Sequence, residues 1–149
     1  MKFDLQRFNT LGTYDPKKVL VIFGGYEIKG FAEDSIISVK PLGEGIGSIV
    51  GCDGSVVRTI SNDNRHEVTL YLNMASSSND VLSVIHARDK SVGDGVLPLV
   101  IKDLSGRTTF VDTQAWIVNE PEIGRSKEPD DVEWTLHTAG GILYVGGHD

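Results

Sequence analysis

The chain has 149 residues, with 14 Lys and Arg against 21 Asp and Glu, a net charge of −7, 40% hydrophobic residues, 17 glycines and one cysteine. That length suits a single domain able to bury about 68–70% of the surface its unfolded form exposes, with no metal or disulfide staple required. The acidity excludes a protein that grips phosphates, and the lone Cys52 excludes a disulfide framework or a multi-cysteine zinc pattern and suits a reducing compartment.

The N-terminal run Met1 to Phe8 carries Asp4 and Arg7 where a signal peptide would place its apolar region, so it reads as a mature, soluble end. Lys18 to Phe23, Gly24-Gly25 and Tyr26 to Ile28 predict a strand, a tight turn and a short return strand, because Gly-Gly supplies the positive φ of hairpin turns. Ser35 to Lys40 predicts a third strand, ended by Pro41. From Leu42 to Asn64 the chain is rich in glycine yet carries Ile46, Ile49, Val50, Val56, Val57 and Ile60, with a strand expected over Ser55 to Ile60. A connection longer than about 12–15 residues is uncommon inside a compact domain. This one is too apolar for a disordered segment, so it reads as an arm whose aliphatic side chains are buried on something else.

Arg65 to Leu72 alternates, placing Val68, Leu70 and Leu72 on a buried face and Glu67, Thr69 and Tyr71 on a polar one. The run Ser76 to Asp80 then offers capping residues to a helix of about ten residues, expected to dock on the sheet through Val81, Leu82, Val84 and Ile85 and to end at Gly93. Strands follow over Val96 to Lys102, Arg107 to Val118, Val132 to Thr138 and Ile142 to Val145. Pro98 argues that the first of these lies at an edge or begins there. Trp134, with Val132 and Leu136, is expected inward, and Glu133, Thr135 and His137 outward. Seven or eight strands and one helix predict a mainly β fold, an antiparallel sandwich or barrel with a flanking α-helix and a long extended loop.

The negative charge is uneven: residues 1–75 hold 8 basic and 9 acidic side chains, residues 76–149 hold 6 and 12. Much of the excess lies in a segment broken by Pro121, Gly124 and Pro129, where Glu120, Glu122, Glu128, Asp130, Asp131 and Glu133 face only Arg125 and Lys127. It reads as a solvated loop, or as an acidic surface set against a partner or a polyanion that must not stick. Catalytic patterns are missing. The glycines at 43, 45 and 47 fail the dinucleotide fingerprint, no phosphate-cradling Gly-Lys-Ser/Thr loop exists, and neither Ser48 nor Ser55 sits in a nucleophile elbow. His66, His86, His137 and His148 are scattered, and His66 and Glu67, adjacent on a strand, point to opposite faces. Cys52 beside Asp53 lacks a base. No catalytic, cofactor or metal site is therefore expected, and Trp116 and Trp134 are more naturally core residues than a sugar-stacking platform.

Several segments, in their order and spacing, resemble the tail tube proteins of contractile-tailed bacteriophages. They are Tyr14 to Val19, Gly30-Phe31-Ala32, Gly51 to Asp63, Ser77 to Leu82 and Asp103 to Thr108. The resemblance runs from about Tyr14 onward and leaves residues 1–13 as an N-terminal extension to a single domain over 14–149. It implies a non-enzymatic virion structural protein, assembled in the host bacterial cytoplasm. Six copies would form a ring with a continuous inner β-barrel, and rings would stack into a hollow tube that carries DNA. Sheath, tape-measure and baseplate proteins are the implied partners. The loop over 42–64, with Ile46, Ile49, Val50, Val56, Val57, Arg58 and Ile60, would be the inter-subunit or inter-ring arm. A tube of a phage-derived bacteriocin or secretion machine would look the same. A tail terminator, a ring adaptor and a monomeric ligand-binding β-sandwich are the competing readings.

Physical reasoning is compatible with this. Heterologous contacts close into rings or run on as open filaments, and a conduit for DNA works with an acidic wall that repels phosphates. A polar strand face with Glu67, Thr69, Asp112 and Gln114 is the expected lumen lining.

Overall fold

The computed structural model describes residues 19–127 and 130–147. The expected extension at 1–13, the Tyr14 to Lys18 part of the resemblance, and Glu128, Pro129 and His148 lie outside the described residues.

Ten strands and one helix are present among the described residues. In chain order they are β1 (Val19–Phe23), β2 (Tyr26–Glu27), β3 (Ile37–Pro41), β4 (Ile46–Val50), β5 (Val56–Ile60), β6 (His66–Asn73), α1 (Ser78–Val92), β7 (Leu97–Asp103), β8 (Thr109–Asn119), β9 (Asp131–Thr138) and β10 (Ile142–Tyr144). Eight strands form one antiparallel sheet in the order β2-β1-β7-β8-β9-β6-β3, with β10 pairing the first part of β8; β4 and β5 make a separate two-stranded sheet. Among the described residues the fold is mainly β with a single helix, as the sequence predicts.

The alternating strands bury the residues expected of them. Val68, Leu70 and Leu72 on β6 are fully buried, as are Leu136 and, almost completely, Trp134 on β9. They join Val21 and Phe23 of β1, Leu99 and Ile101 of β7, and Phe110, Ala115 and Ile117 of β8 in one core. Along β8 the inward parity switches from even to odd numbers. Leu97 pairs Ala115 while Leu99 pairs Asp112, and farther on Ile117 pairs Leu136 while Asn119 pairs Thr135. Each shift is a bulge that inserts an extra residue into β8 and bends it. The bent sheet curls until its two ends approach. Val19 of β1 and Ile37 and Val39 of β3 line one hollow of about 310 Å³ with Phe110 and Leu143.

Gly24 and Gly25 have φ of 61° and 86° and turn β1 into β2, the two-glycine hairpin expected. Pro41 sits inside β3 as its last paired residue, opposite His66, rather than ending the strand before it. Pro98 lies near the start of β7, at the first bulge. Of the two expectations, an edge or a start, the start holds, since β7 lies between β1 and β8 and Pro98 is its second residue.

Helix α1 is longer than expected, at 15 residues, and stops where Gly93 adopts a left-handed conformation. Leu82 is fully buried and Ile85 packs against the core, but Val84 is 67% exposed. The expectation that Val84 docks on the sheet is corrected: it falls on the solvent side of the helix with Val92. The first turn is stapled by Asn79, whose Oδ1 accepts from Trp134 Nε1–H at 2.9 Å while its Nδ2 donates to the Asn73 and Ser76 carbonyls. Asn79→Ala leaves the buried indole N–H without a partner, a loss of about 1–3 kcal/mol. Urea unfolding is expected to show it as a lower midpoint at unchanged slope.

Candidate assembly surfaces

The 42–64 arm is a β-hairpin. The sequence pattern indicated its second strand; the first, β4, is an addition, because Gly47-Ser48 interrupts the apolar run. Registry pairs Ile46 with Ile60, Ser48 with Arg58, Ile49 with Val57 and Val50 with Val56. Every residue from Glu44 to Ile60 is exposed. The six aliphatic side chains at 46, 49, 50, 56, 57 and 60 are each 61–68% exposed. A two-stranded ribbon bearing that much apolar surface is marginal in water unless something covers it.

The tip turns through Gly51 to Gly54. Gly51 N–H donates to the Ser55 carbonyl, and Asp53 Oδ1 accepts from both the backbone N–H and the hydroxyl of Ser55. Those bonds, the hydroxyl first, hold the Asp53 carboxyl below the usual range. Cys52 sits exposed at this tip.

The root of the arm prolongs the β3–β6 pair. Leu42 N–H donates to the Arg65 carbonyl and Ser61 N–H to the Gly45 carbonyl. At Gly43 a side chain would collide with the Asp63 carbonyl oxygen, so this crossing requires glycine. The Arg65 guanidinium grips Asp63 through Nε and Nη2, each 2.9 Å from a carboxylate oxygen. These bonds, with the Arg65 backbone N–H, draw the Asp63 pKa from the usual 3.8 down to about 2. The folded form therefore favours the carboxylate. The benefit is whole above pH 4 and disappears as pH falls through about 2. Carboxyl ¹³C shifts followed from pH 5 to 1.5 are expected to place the Asp63 midpoint near 2, and Arg65→Gln to return it toward 3.8.

Across the sheet, the face turned away from the core is polar on β3, β6 and β9. Glu67 lies between Lys40 and His137, with Oε2 3.0 Å from Lys40 Nζ and Oε1 3.9 Å from His137 Nε2. The His137 ring meets the edge of Trp116 with centroids 6.4 Å apart. Four strands thus contribute one row, Lys40-Glu67-His137-Trp116. Thr69 lies beside Ser38 and Thr135 one row on.

Asp112, paired with the buried Leu99, does not join this face. The bulge turns Asp112 toward the 139–141 turn, where Oδ2 accepts from Gly140 N–H at 3.1 Å and Oδ1 from Gln114 N–H at 3.2 Å. Gln114 is exposed beside it, and its carbonyl accepts from Ala139 N–H.

The acidic segment after β8 gathers Glu120, Glu122, Asp130, Asp131 and Glu133 around a hollow of about 540 Å³. Glu120 also reaches Lys90 of α1 at 3.3 Å. His66 meets Phe110 edge to face, His86 is buried on α1, and no group of metal-ligating side chains occurs among the described residues. Trp134, buried and bonded to Asn79, has no ring face to offer a sugar.

Comparison with known proteins supplies the family context. No protein-family model matches the chain. It is 30% identical over 144 residues, spanning 91% of the chain and 83% of the relative, to "Structural protein ORF10" of Pseudomonas phage KPP10. Among solved structures it resembles a chain of the sheath-tube complex of an extracellular contractile injection system, PVC, with TM-score 0.62 and 12% identity over 96% of this chain and 99% of that one. A chain of the sheath/tube terminator of the same system gives 0.59 at 13% identity over 91% and 99%. One from the virion of a gene transfer agent gives 0.58 at 11% over 89% and 100%. At such identities these likenesses establish the fold, which is that of contractile-system tube and terminator proteins.

Proposed function

Since the chain belongs to the family of the phage structural protein ORF10, a family of virion components rather than enzymes, we propose that it is the tail tube subunit of a contractile phage tail. Six copies form a ring, rings stack into a hollow tube in the virion, and DNA leaves through the lumen without specific binding. Tail sheath, tape-measure and baseplate proteins are its partners, and assembly takes place in the host bacterial cytoplasm. Residues 14–149 act as one unit, with 42–64 as the arm that joins copies. The observation that carries this reading is the exposed aliphatic hairpin on a body that has its own buried core without it. A monomer gains nothing from such an arm, whereas an open filament of heterologous contacts needs one.

The lumen is assigned to the polar face of β3, β6 and β9 around Glu67 and Thr69. Glu67 neutralises the one lysine of that row, Lys40, and the threonines beside it carry no charge, so the face offers DNA little grip, and the net charge of −7 works in the same direction. Glu67→Lys combined with Thr69→Lys sets two cations beside Lys40. Tubes are expected to assemble while DNA ejection in a complementation assay slows at least tenfold; unchanged ejection refutes the lumen assignment.

The likeness to a terminator favours a second reading, a single ring that caps a tube. Negative-stain electron microscopy of the purified protein decides between them. Long hollow tubes support the tube subunit, discrete rings the terminator, and dispersed monomers at high concentration neither.

A further inference from the structure

The arm has two chemically different faces, and both are bare. Opposed residues of an antiparallel pair project to the same side, and alternate residues share that side. Ile46, Ile60, Val50 and Val56 therefore lie on one face with Ser48 and Arg58 between them, while Ile49 and Val57 lie on the other beside Thr59. Four aliphatic side chains with a central cation point one way; two with no charge point the other. A surface laid against the first leaves Ile49 and Val57 in water at 61% exposure each.

Resting on the reading of 42–64 as an assembly arm, we propose that each hairpin is clamped between two other copies of this chain, one on each face. The size of the apolar hollows argues against one copy covering both. A cavity of about 150 Å³ is what one deleted large aliphatic side chain leaves. The hollow among Val19, Ile37, Val39, Phe110 and Leu143 measures about 310 Å³. The one between α1 and β7, among Tyr26, Val84, Ile85 and Leu97, measures about 320 Å³. Each has room for about two aliphatic side chains, one cross-strand pair of the arm and not six residues projecting in opposite directions. Of the two roomier hollows, that of about 540 Å³ is walled by carboxylates and suits none of them, and that of about 460 Å³ has Glu27, Lys29 and Glu33 set among its apolar residues.

Charge assigns the faces. Asp103 borders the first hollow and gives Arg58 a carboxylate. At the second, Arg88 and Asp94 already hold each other at 2.7 Å, so the uncharged Ile49 and Val57 face suits it, beside the exposed Val84 and Val92. That pairing also gives an occupation to the two exposed helix valines. Both hollows and both arm faces belong to the same chain, which makes further copies the natural occupants.

The test dopes a trace of tagged subunit into an excess of unmodified protein before assembly. The tagged chain carries a photo-crosslinking amino acid at Ser48, at Thr59, or at both. Expected are a crosslinked dimer from each single-site chain, with acceptor peptides from β3 or β10 for Ser48 and from α1 for Thr59. The double-site chain is expected to give a trimer at least tenfold more abundant than either single-site chain does. Dimers alone from the double-site chain, or one acceptor surface for both sites, overturn the two-copy clamp while leaving the arm an assembly element. No crosslink at either site in tubes that still form overturns the arm reading itself.

Discussion

Aspartate at both Ile49 and Val57 is expected to leave a soluble subunit that melts where the wild type does and never forms tubes. Neither residue touches the core, whose buried members come from β1, β6, β7, β8, β9 and α1 and from Ile28 after β2. The folded subunit therefore does not register the change. Assembly does. Completing the burial of these two side chains, already about one-third covered, is worth roughly 2–4 kcal/mol at about 1.5–3 kcal/mol per full side chain. Two unpaired carboxylates cost several kcal/mol more when taken from water. At about 1.4 kcal/mol per tenfold, the contact weakens by at least three to four orders of magnitude. Thermal melts, sedimentation velocity and negative-stain images of the same sample check it together. Tubes of normal length would remove the arm from assembly altogether. Deleting residues 43–61 is expected to give the same phenotype, because the deletion spares the β3–β6 pairs from Ile37–Leu70 to Pro41–His66.

The second large effect is internal. Leu82→Ala is expected to lower stability by about 2–5 kcal/mol, the range for emptying a buried leucine site. Against a total of about 5–15 kcal/mol for a domain, that is a sizeable share. Leu82 is the fully buried aliphatic residue of α1; the other buried positions on the helix are Ser78 and His86. With its methyl groups gone, the helix keeps the Asn79 staple but little apolar hold on the sheet, so amide exchange should accelerate across Ser78–Val92 before it does in β6 or β9. Uniform acceleration over sheet and helix would mean that α1 is no separate cooperative unit.

Much of the body was legible because one face of each strand is wet and the other dry. Val68, Leu70 and Leu72 against Glu67, Thr69 and Tyr71, and Trp134 and Leu136 against Glu133 and His137, follow from a period of two alone. Glycines at 24, 25 and 93 mark turns and a helix end because positive φ excludes most other residues. What the sequence concealed has equally physical causes. Val84 repeats at helical spacing with Val81 and Ile85, and spacing does not say which side of the stripe meets the sheet. Asp112 reads as polar-face in a straight strand, but a bulge shifts parity and bulges leave no periodic mark. Strand β4 is hidden by Gly47 and Ser48, which lower β propensity in a segment whose pairing with β5 is local. The aliphatic content of the arm was readable. That its side chains split into a cationic face and an uncharged one emerges only from the registry.

The separate pairing of β4 with β5 bears on how the subunit matures. Their contacts are local, and an isolated hairpin closes in about 1–10 μs. The sheet closes only when β1 finds β7, more than half the chain away, and folds dominated by such remote pairings take about milliseconds to seconds. A nascent chain therefore displays its adhesive ribbon before it owns a body. Val56, Val57, Thr59 and Ile60 form the kind of short β-rich window that nucleates amyloid-like stacking, and Arg58 interrupts it with a charge. The charge at Arg58 lowers the tendency of that window to stack on copies of itself while the rest of the sheet is still open.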